Sequence, residues 1–399
     1  MKRALTALSL LAALVVAAAL AALLQPSAQP VGQGVHPVRI GVSLGKTGRY
    51  AALAAMQEEG FRLWAEQQNR AGGLLGRPVE LAVRDDAGDP ATARSRYQEF
   101  IEKDRVDFLF APYSSQLTQA VAGLAAEHGY PLVASGAASD ALWDAGAPPV
   151  LGIYVPASRY AQGFLELLLQ QGVTRLALLS FPGMFPEELE RGALAWADRL
   201  GLRVLAHREV HGPAPDLDAA VAEARAAGAE ALLVFGYTRD ALAARRAVSA
   251  SGWRPRAFYA TVGPTLDSYG EELGPVAEGD FATSHWEPGL PYPGAAQFAA
   301  DFMEKFQHPP SYHAAGAYAA GQLLAQAVDK AGTTERRRVA LALGGLDTTT
   351  VLGRFGVNPK GIQVRHFPVV VQWQGGKRKV VWPRELAETE PRFAVQALP

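Results

Sequence analysis

The 399-residue chain contains no cysteine. That absence excludes disulfide frameworks, cysteine–zinc sites, cysteine nucleophiles and lipid attachment through an N-terminal cysteine. An excess of one charge is also missing: 38 basic against 39 acidic residues leave a net charge of −1. Nucleic acid is therefore not an expected partner, because its binders carry a clear basic excess or patch. The eight histidines fall in no metal-ligand spacing, and no H-E-x-x-H occurs. No G-x-S-x-G elbow is present, and VRIGVSLGKTG (38–48) has the glycines and lysine of a phosphate loop at the wrong spacing. No metal, no cofactor and no catalytic activity are expected. Asp85 and Asp86 read as caps of the next turn rather than as an acid–base pair. Long apolar runs are missing from the body of the chain. The single one, Ala4 to Leu24, follows the basic start MKR and is broken by QPSAQP. It reads as an export signal cut after Ala28, with an uncleaved membrane anchor as the alternative. Either way the body is expected in the periplasm or on the extracellular face of the membrane.

What is present is hydrophobic residues at 49%, ample for two buried cores. From Val38 onward, short β-rich runs alternate with amphipathic stretches. VRIGVS, VELAVRDD, VDFLFAP and YPLVAS read as strands, with helices over Tyr50–Ala71, after Asp89-Pro90 and from about Ser115. The pattern restarts with RLALLS, LRVLAHREV, ALLVFGY and AFYAT and the helices between them. VVVQWQGGKRKVVW reads as a hairpin turning at Gly375 and Gly376. Such alternation predicts an α/β protein of two Rossmann-like lobes with parallel sheets. Pro- and Gly-rich crossings near 150–157 and 283–293 join the lobes as a multi-strand hinge. The expected division is a signal peptide over 1–28, a linker over 29–36, a first lobe over 37–155 and 287–366, and a second over 156–286 and 367–399.

Ligands of parallel sheets bind beyond the carboxyl ends of the strands. Two neighbouring strand ends here run into Tyr113-Ser114-Ser115 and into SGAAS (135–139). A helix start at Ser115 favours an anion. Ser114 or Ser115 reads equally well as an ordinary N-cap. The repetition of hydroxyls and glycine at the next strand end points to converging donors.

These residues carry a resemblance. IGVSLGKTGRYA, GFRLWAEQQNRAGGLLGRPVELAVRDDAGDPATA, APYSSQLTQA, YPLVASGAAS, LLVFGYTRDALAARRA and PSYHAAGAYAAGQLLAQAV occur in the order of a known family. From about residue 37 to 375 the chain resembles the periplasmic solute-binding proteins of ABC importers, of the Leu/Ile/Val-binding type with the type I periplasmic-binding fold. The resemblance implies a clamp, usually monomeric, that closes on a small amino acid or related solute and delivers it to a membrane permease. A ligand-binding sensor or receptor ectodomain of the same fold is the alternative. It further implies a carboxylate held by Ser115 and by the turn Gly136, Ala137, Ala138 and Ser139, with Tyr113 beside them. Leu53 would face the ligand's tail, Phe185 and Tyr237 would cover it from the other lobe, and Tyr312 and His313 would reach it from a late helix. Phe185, Tyr237 and Trp286 read equally as packing between lobes. Arg49 is either a partner for an anion or a solvated side chain. Two departures stand out. Ala138 occupies the place of the family's turn threonine, and YATVGPT (259–265) lacks the acid that meets an ammonium, the next acid being Asp267. A buried ammonium without a counter-charge is costly. The departures therefore favour a carboxylate or amide without one, aromatic in character.

Overall fold

A computed structural model describes residues 36–144, 150–211 and 214–394. The expected signal peptide and all of the linker but His36 lie outside the described residues. The first sheet is built from β1 (Val38–Leu44), β2 (Val79–Asp85), β3 (Phe108–Phe110), β4 (Leu132–Ala134) and β5 (Val150–Gly152). Between them run α1 (Ala51–Arg70), α2 (Pro90–Glu102), α3 (Ser115–Glu127) and the short α4 (Ala141–Asp144). All pairings are parallel, in the order β2-β1-β3-β4-β5. Asp89 opens α2 as expected: its carboxylate accepts the Thr92 N–H at 2.7 Å, with Pro90 in the first turn.

The second set contains α5 (Gln162–Gln170), β6 (Arg175–Ser180), α6 (Met184–Leu200), β7 (Arg203–Glu209) and α7 (Ala214–Ala226). It continues with β8 (Ala231–Phe235), α8 (Thr238–Ala250), β9 (Ala257–Ala260), α9 (Asp267–Leu273) and β10 (Phe281–Ser284). These strands repeat the order of the first sheet, as β7-β6-β8-β9-β10. Every residue of β8 is buried, as a strand covered on both faces requires. After β10 come α10 (Ala295–Phe306), α11 (Tyr312–Ala331), α12 (Arg336–Gly344) and a small hairpin, β11 (Asp347–Thr350) with β12 (Gly353–Gly356). The chain then returns to the second sheet through β13 (Val369–Gln374) and β14 (Lys377–Trp382). β13 pairs antiparallel with β10, and the β13–β14 hairpin turns at Gly375 and Gly376, both at positive φ.

The late helices pack against the first sheet's helices. Gly60 of α1 lies so close to α11 that an added Cβ would stand 2.2 Å from the Ala314 carbonyl oxygen. Side chains are excluded there, and the two helices approach closely. The chain passes between the sheets three times: after β5, after β10 and before β13. Three buried rings meet at these crossings. His285 stacks on Tyr154 with centroids 4.3 Å apart, and its Nδ1 lies 3.2 Å from Nε2 of His366. No helix among the described residues is long and apolar enough to cross a membrane.

Candidate functional site

Each sheet reverses its strand order at one point, between β1 and β3 in the first and between β6 and β8 in the second. The carboxyl ends of these strands are where a ligand crevice forms. In the first sheet, β1 ends before Arg49 and Tyr50, β3 before Tyr113–Ser115, and neighbouring β4 before Gly136–Ser139. In the second, β6 ends before Phe185 and β8 before Tyr237. The structure brings these ends face to face around one cavity. Its wall is made by Tyr113, Gly136, Ala138, Tyr154, Tyr160, Phe185, Tyr237, Val262, Tyr312 and His313. The rings occupy most of the crevice themselves. The space left is about 20 Å³, room for about one water molecule.

Seven of the sequence-expected residues therefore line one cavity: Tyr113, Gly136, Ala138, Phe185, Tyr237, Tyr312 and His313. Four do not. Leu53 and Ala137 are buried in the core. Ser139 is fully buried, with its hydroxyl 3.5 Å from both the Met184 carbonyl oxygen and Glu188 Oε2 of α6. Ser115 lies behind the wall and builds it: its Oγ accepts the N–H groups of Ala138 at 3.2 Å and Ser139 at 3.0 Å. Two of the turn's donors are thus satisfied by Ser115. The N-cap of α3 is Ser114, whose hydroxyl accepts the Leu117 N–H and whose own N–H donates to the Gly136 carbonyl at 2.9 Å. Its φ of +94° is unusual for a side-chain-bearing residue. Gly136 has no room for a side chain, since an added Cβ would lie 2.6 Å from the Tyr113 ring and 2.8 Å from Gln57 Nε2.

The opposite wall offers rings. Phe185 packs against Tyr160 at 5.5 Å and against Tyr237 at 5.8 Å between centroids. Tyr237 in turn meets Tyr50 of the first wall at 5.0 Å. Arg49 bridges the two sides, its guanidinium 4.7 Å from the Tyr50 ring centre and 5.0 Å from that of Tyr237. Trp286 packs on Phe298 away from the cavity. Sequence reasoning missed Tyr154, Tyr160 and Val262. The first two sit in the crossing IYVPASRY (153–160) after β5, which ends in a single 3-10 turn over Ala157–Arg159, and the crossing between the sheets was itself the signal.

Among the described residues, no charged side chain lines the cavity. Three carboxylates outside the lining, buried Glu188 and the partly exposed Asp240 and Asp267, are otherwise engaged. Burial, with the nearby Asp140 charge, pushes Glu188 up, and Arg191 pairs with it in opposition. Asp240 is also raised by burial, while accepting the Tyr237 N–H at 2.8 Å. Asp267 is taken by Arg378. His313 is held neutral, because burial pushes it down to about 3. A larger open hollow of about 770 Å³ lies at the amino ends of β3 and β4, bordered by Asp107, His128, Tyr130 and Arg336.

The model of the family described as periplasmic binding protein matches residues 37–378. The Leu/Ile/Val-binding protein homolog 7 of Brucella suis biovar 1 is 24% identical over 384 residues, covering 90% of this chain and 96% of that protein. Among solved structures, the leucine-binding protein LivK of Thermotoga maritima is similar with a TM-score of 0.78 and 21% identity, over 86% of this chain and 97% of that one. A solute-binding protein of an ABC transporter from R. palustris, solved with benzoate, has a TM-score of 0.78 and 21% identity, over 91% and 99%. LivJ of Streptococcus pneumoniae, solved with isoleucine, has a TM-score of 0.76 and 20% identity, over 86% and 97%. With two sheets of matching strand order, a cleft at their reversal points and a family match over most of its length, this chain has the type I periplasmic-binding fold and belongs to the periplasmic binding protein family.

Proposed function

We propose that this chain is the extracytoplasmic solute-capturing component of an ABC importer, without a catalytic step of its own. Its solute is a small carboxylate or amide, aromatic in character and without an ammonium group. The lobes divide at 155/156, 286/287 and 366/367, part to admit the solute, close over it and present it to a permease. Tyr113, Gly136, Ala138, Phe185, Tyr237, Tyr312 and His313 touch the solute, and Ser115 acts through the turn that it holds.

The observation that carries this reading is the lining. Among the described residues, seven of the ten in the lining bear rings and none bears a carboxylate. Flat aromatic surface gains both area burial and ring–ring contact in such a cleft. An α-amino acid would leave its ammonium unpaired there, at a cost that a binding site does not sustain. A solved protein of the same fold holds benzoate, which is the proposed chemical class.

The test is a thermal-shift comparison of benzoate, benzamide, L-phenylalanine and L-leucine. A solute present at about a hundred times its Kd adds about 2.7 kcal/mol to the folded state. Benzoate or benzamide is expected to raise the melting temperature by several degrees and leucine to leave it unchanged. A shift with leucine alone would remove the aromatic-acid reading.

A further inference from the structure

Five tyrosines stand on the cavity wall: Tyr113, Tyr154, Tyr160, Tyr237 and Tyr312. Their hydroxyls are not alike. That of Tyr113 lies 3.2 Å from His313 Nε2, and that of Tyr154 donates to the Tyr312 carbonyl at 3.0 Å. The Tyr237 ring meets Tyr50 and the Arg49 guanidinium. The hydroxyls of Tyr160 and Tyr312 bond to no group among the described residues, and neither oxygen is sealed in by protein. The two residues are only 5% and 4% exposed, so the open space that their hydroxyls meet is the cavity that both border.

Both side chains are held in place from elsewhere. The Tyr160 ring packs on Phe185 at 5.5 Å and on His285 at 4.5 Å, and its carbonyl accepts the Thr283 hydroxyl at 2.8 Å. The Tyr312 ring stacks on His313 at 3.9 Å and meets His285 at 5.3 Å. One imidazole, His285, thus touches both rings and keeps them neighbours. A buried hydroxyl is seldom left without a partner, because the unmade bond costs stability. Two of them beside one cavity mark the place of a polar group that the protein does not itself supply. The turn after β4 has less to offer, since its Ala138 and Ser139 amides are already committed to Ser115.

We infer that the Tyr160 and Tyr312 hydroxyls together receive the polar head of the solute, a carboxylate or carboxamide carried on an aromatic ring. This rests on the solute reading above. A phenol both donates and accepts. Two donors answer the two oxygens of a carboxylate. For a carboxamide, one hydroxyl donates to the oxygen and the other accepts from the nitrogen. Burial pushes both phenols above their ordinary range, so both keep their protons. An ammonium would meet only neutral oxygens and no counter-charge. Tyr160 opens the second lobe, and Tyr312 begins a helix packed on the first, so one head group engages both lobes.

The experiment is titration calorimetry of the whole chain with benzoate and benzamide, in the natural protein and in Tyr160→Phe and Tyr312→Phe. Phenylalanine keeps the ring and removes a hydroxyl that bonds to nothing in the free protein. The melting temperature of the free protein is therefore expected to be unchanged or slightly raised. The affinity for the better-bound of the two solutes is expected to fall about tenfold in each variant, the weight of one buried hydrogen bond. Undiminished affinity in either variant overturns the inference while the aromatic-solute reading still stands. A loss of affinity matched by a fall in the melting temperature assigns the residue to packing and overturns it as well. If neither benzoate nor benzamide binds the natural protein, the solute reading falls and this inference falls with it.

Discussion

The two walls of the cleft share a topology and differ in chemistry. In the first, the ends of β3 and β4 are knitted together: Ser114 N–H to the Gly136 carbonyl, and Ser115 Oγ under the amides of Ala138 and Ser139. In the second, the matching ends of β6 and β8 present Phe185 and Tyr237 as ring faces. The same strand order thus yields a polar, preorganised wall and an apolar cover. The difference teaches that topology chooses where a site lies, while the few residues after each strand choose what that place can do.

The largest effect that separates the walls is expected from Ser115→Ala. It leaves two buried amides without their acceptor, at about 1–3 kcal/mol. Both the melting temperature of the free protein and its affinity for benzoate are expected to fall. Phe185→Leu, on the cover, is expected to speed benzoate release severalfold while costing the free protein only about 1 kcal/mol. Stopped-flow release and thermal melts read the two quantities separately. If both variants moved the same quantity by the same amount, the distinction between cradle and cover would be lost.

A second contrast lies in titration. His313 and the crossing histidines His285 and His366 are all held below their ordinary pKa by burial, His366 at about 4. The unfolded chain takes up their protons first as pH falls. Their stabilising share is therefore complete above about pH 6.5 and is lost as pH drops toward the folded values. The second sheet carries the opposite case. Burial pushes Asp280 up to about 7, against the Arg245 guanidinium at 2.8 Å and the Tyr269 hydroxyl at 2.7 Å. That group stabilises most below the unfolded carboxylate value, and its share is lost as pH rises through about 7. Between pH 7 and 5, His366→Asn is expected to remove about 2 kcal/mol of stability loss, and Asp280→Asn to add a similar amount. Urea midpoints at the two pH values check both, and equal slopes in the two variants would contradict the assignment.

The smallest effect concerns a cation that touches both sides. Arg49 is exposed and stacks over Tyr50 and Tyr237. Exposed cation–π contacts are worth about 0.5–1 kcal/mol. Arg49→Ala is expected to raise the benzoate release rate two- to fivefold with no change in the melting temperature. An unaltered rate would reduce Arg49 to a solvated side chain.

Much of this was legible in the sequence. Alternating strand and helix patterns, the Asp89-Pro90 helix start and the Gly375-Gly376 turn all stand where local chemistry placed them, because each depends on neighbours within a few residues. The aromatic positions Tyr113, Phe185, Tyr237 and Tyr312 were reached through a resemblance and then met in one cavity. The role of Ser115 was not legible. A serine at a helix start shows that it has a hydroxyl, and nothing local shows whether that hydroxyl faces the cleft or lies beneath the next turn. Tyr154 and Tyr160 were missed for a similar reason: a short crossing between sheets carries no periodicity to show which side faces inward.

By itself the sequence determined the class of the molecule: an α/β chain of two lobes, with hydroxyl- and glycine-bearing strand ends. Those properties follow from residue order, because helix caps, strand patterns and turns are short-range events. The tertiary structure alone decided which atoms are spent and which are free. Ser115 Oγ is committed to two amides contributed from more than twenty residues away, and His313 is brought to a cavity whose other walls come from distant parts of the chain. Hydrogen bonds between segments remote in sequence exist only once packing has brought them together, so their assignment belongs to the fold.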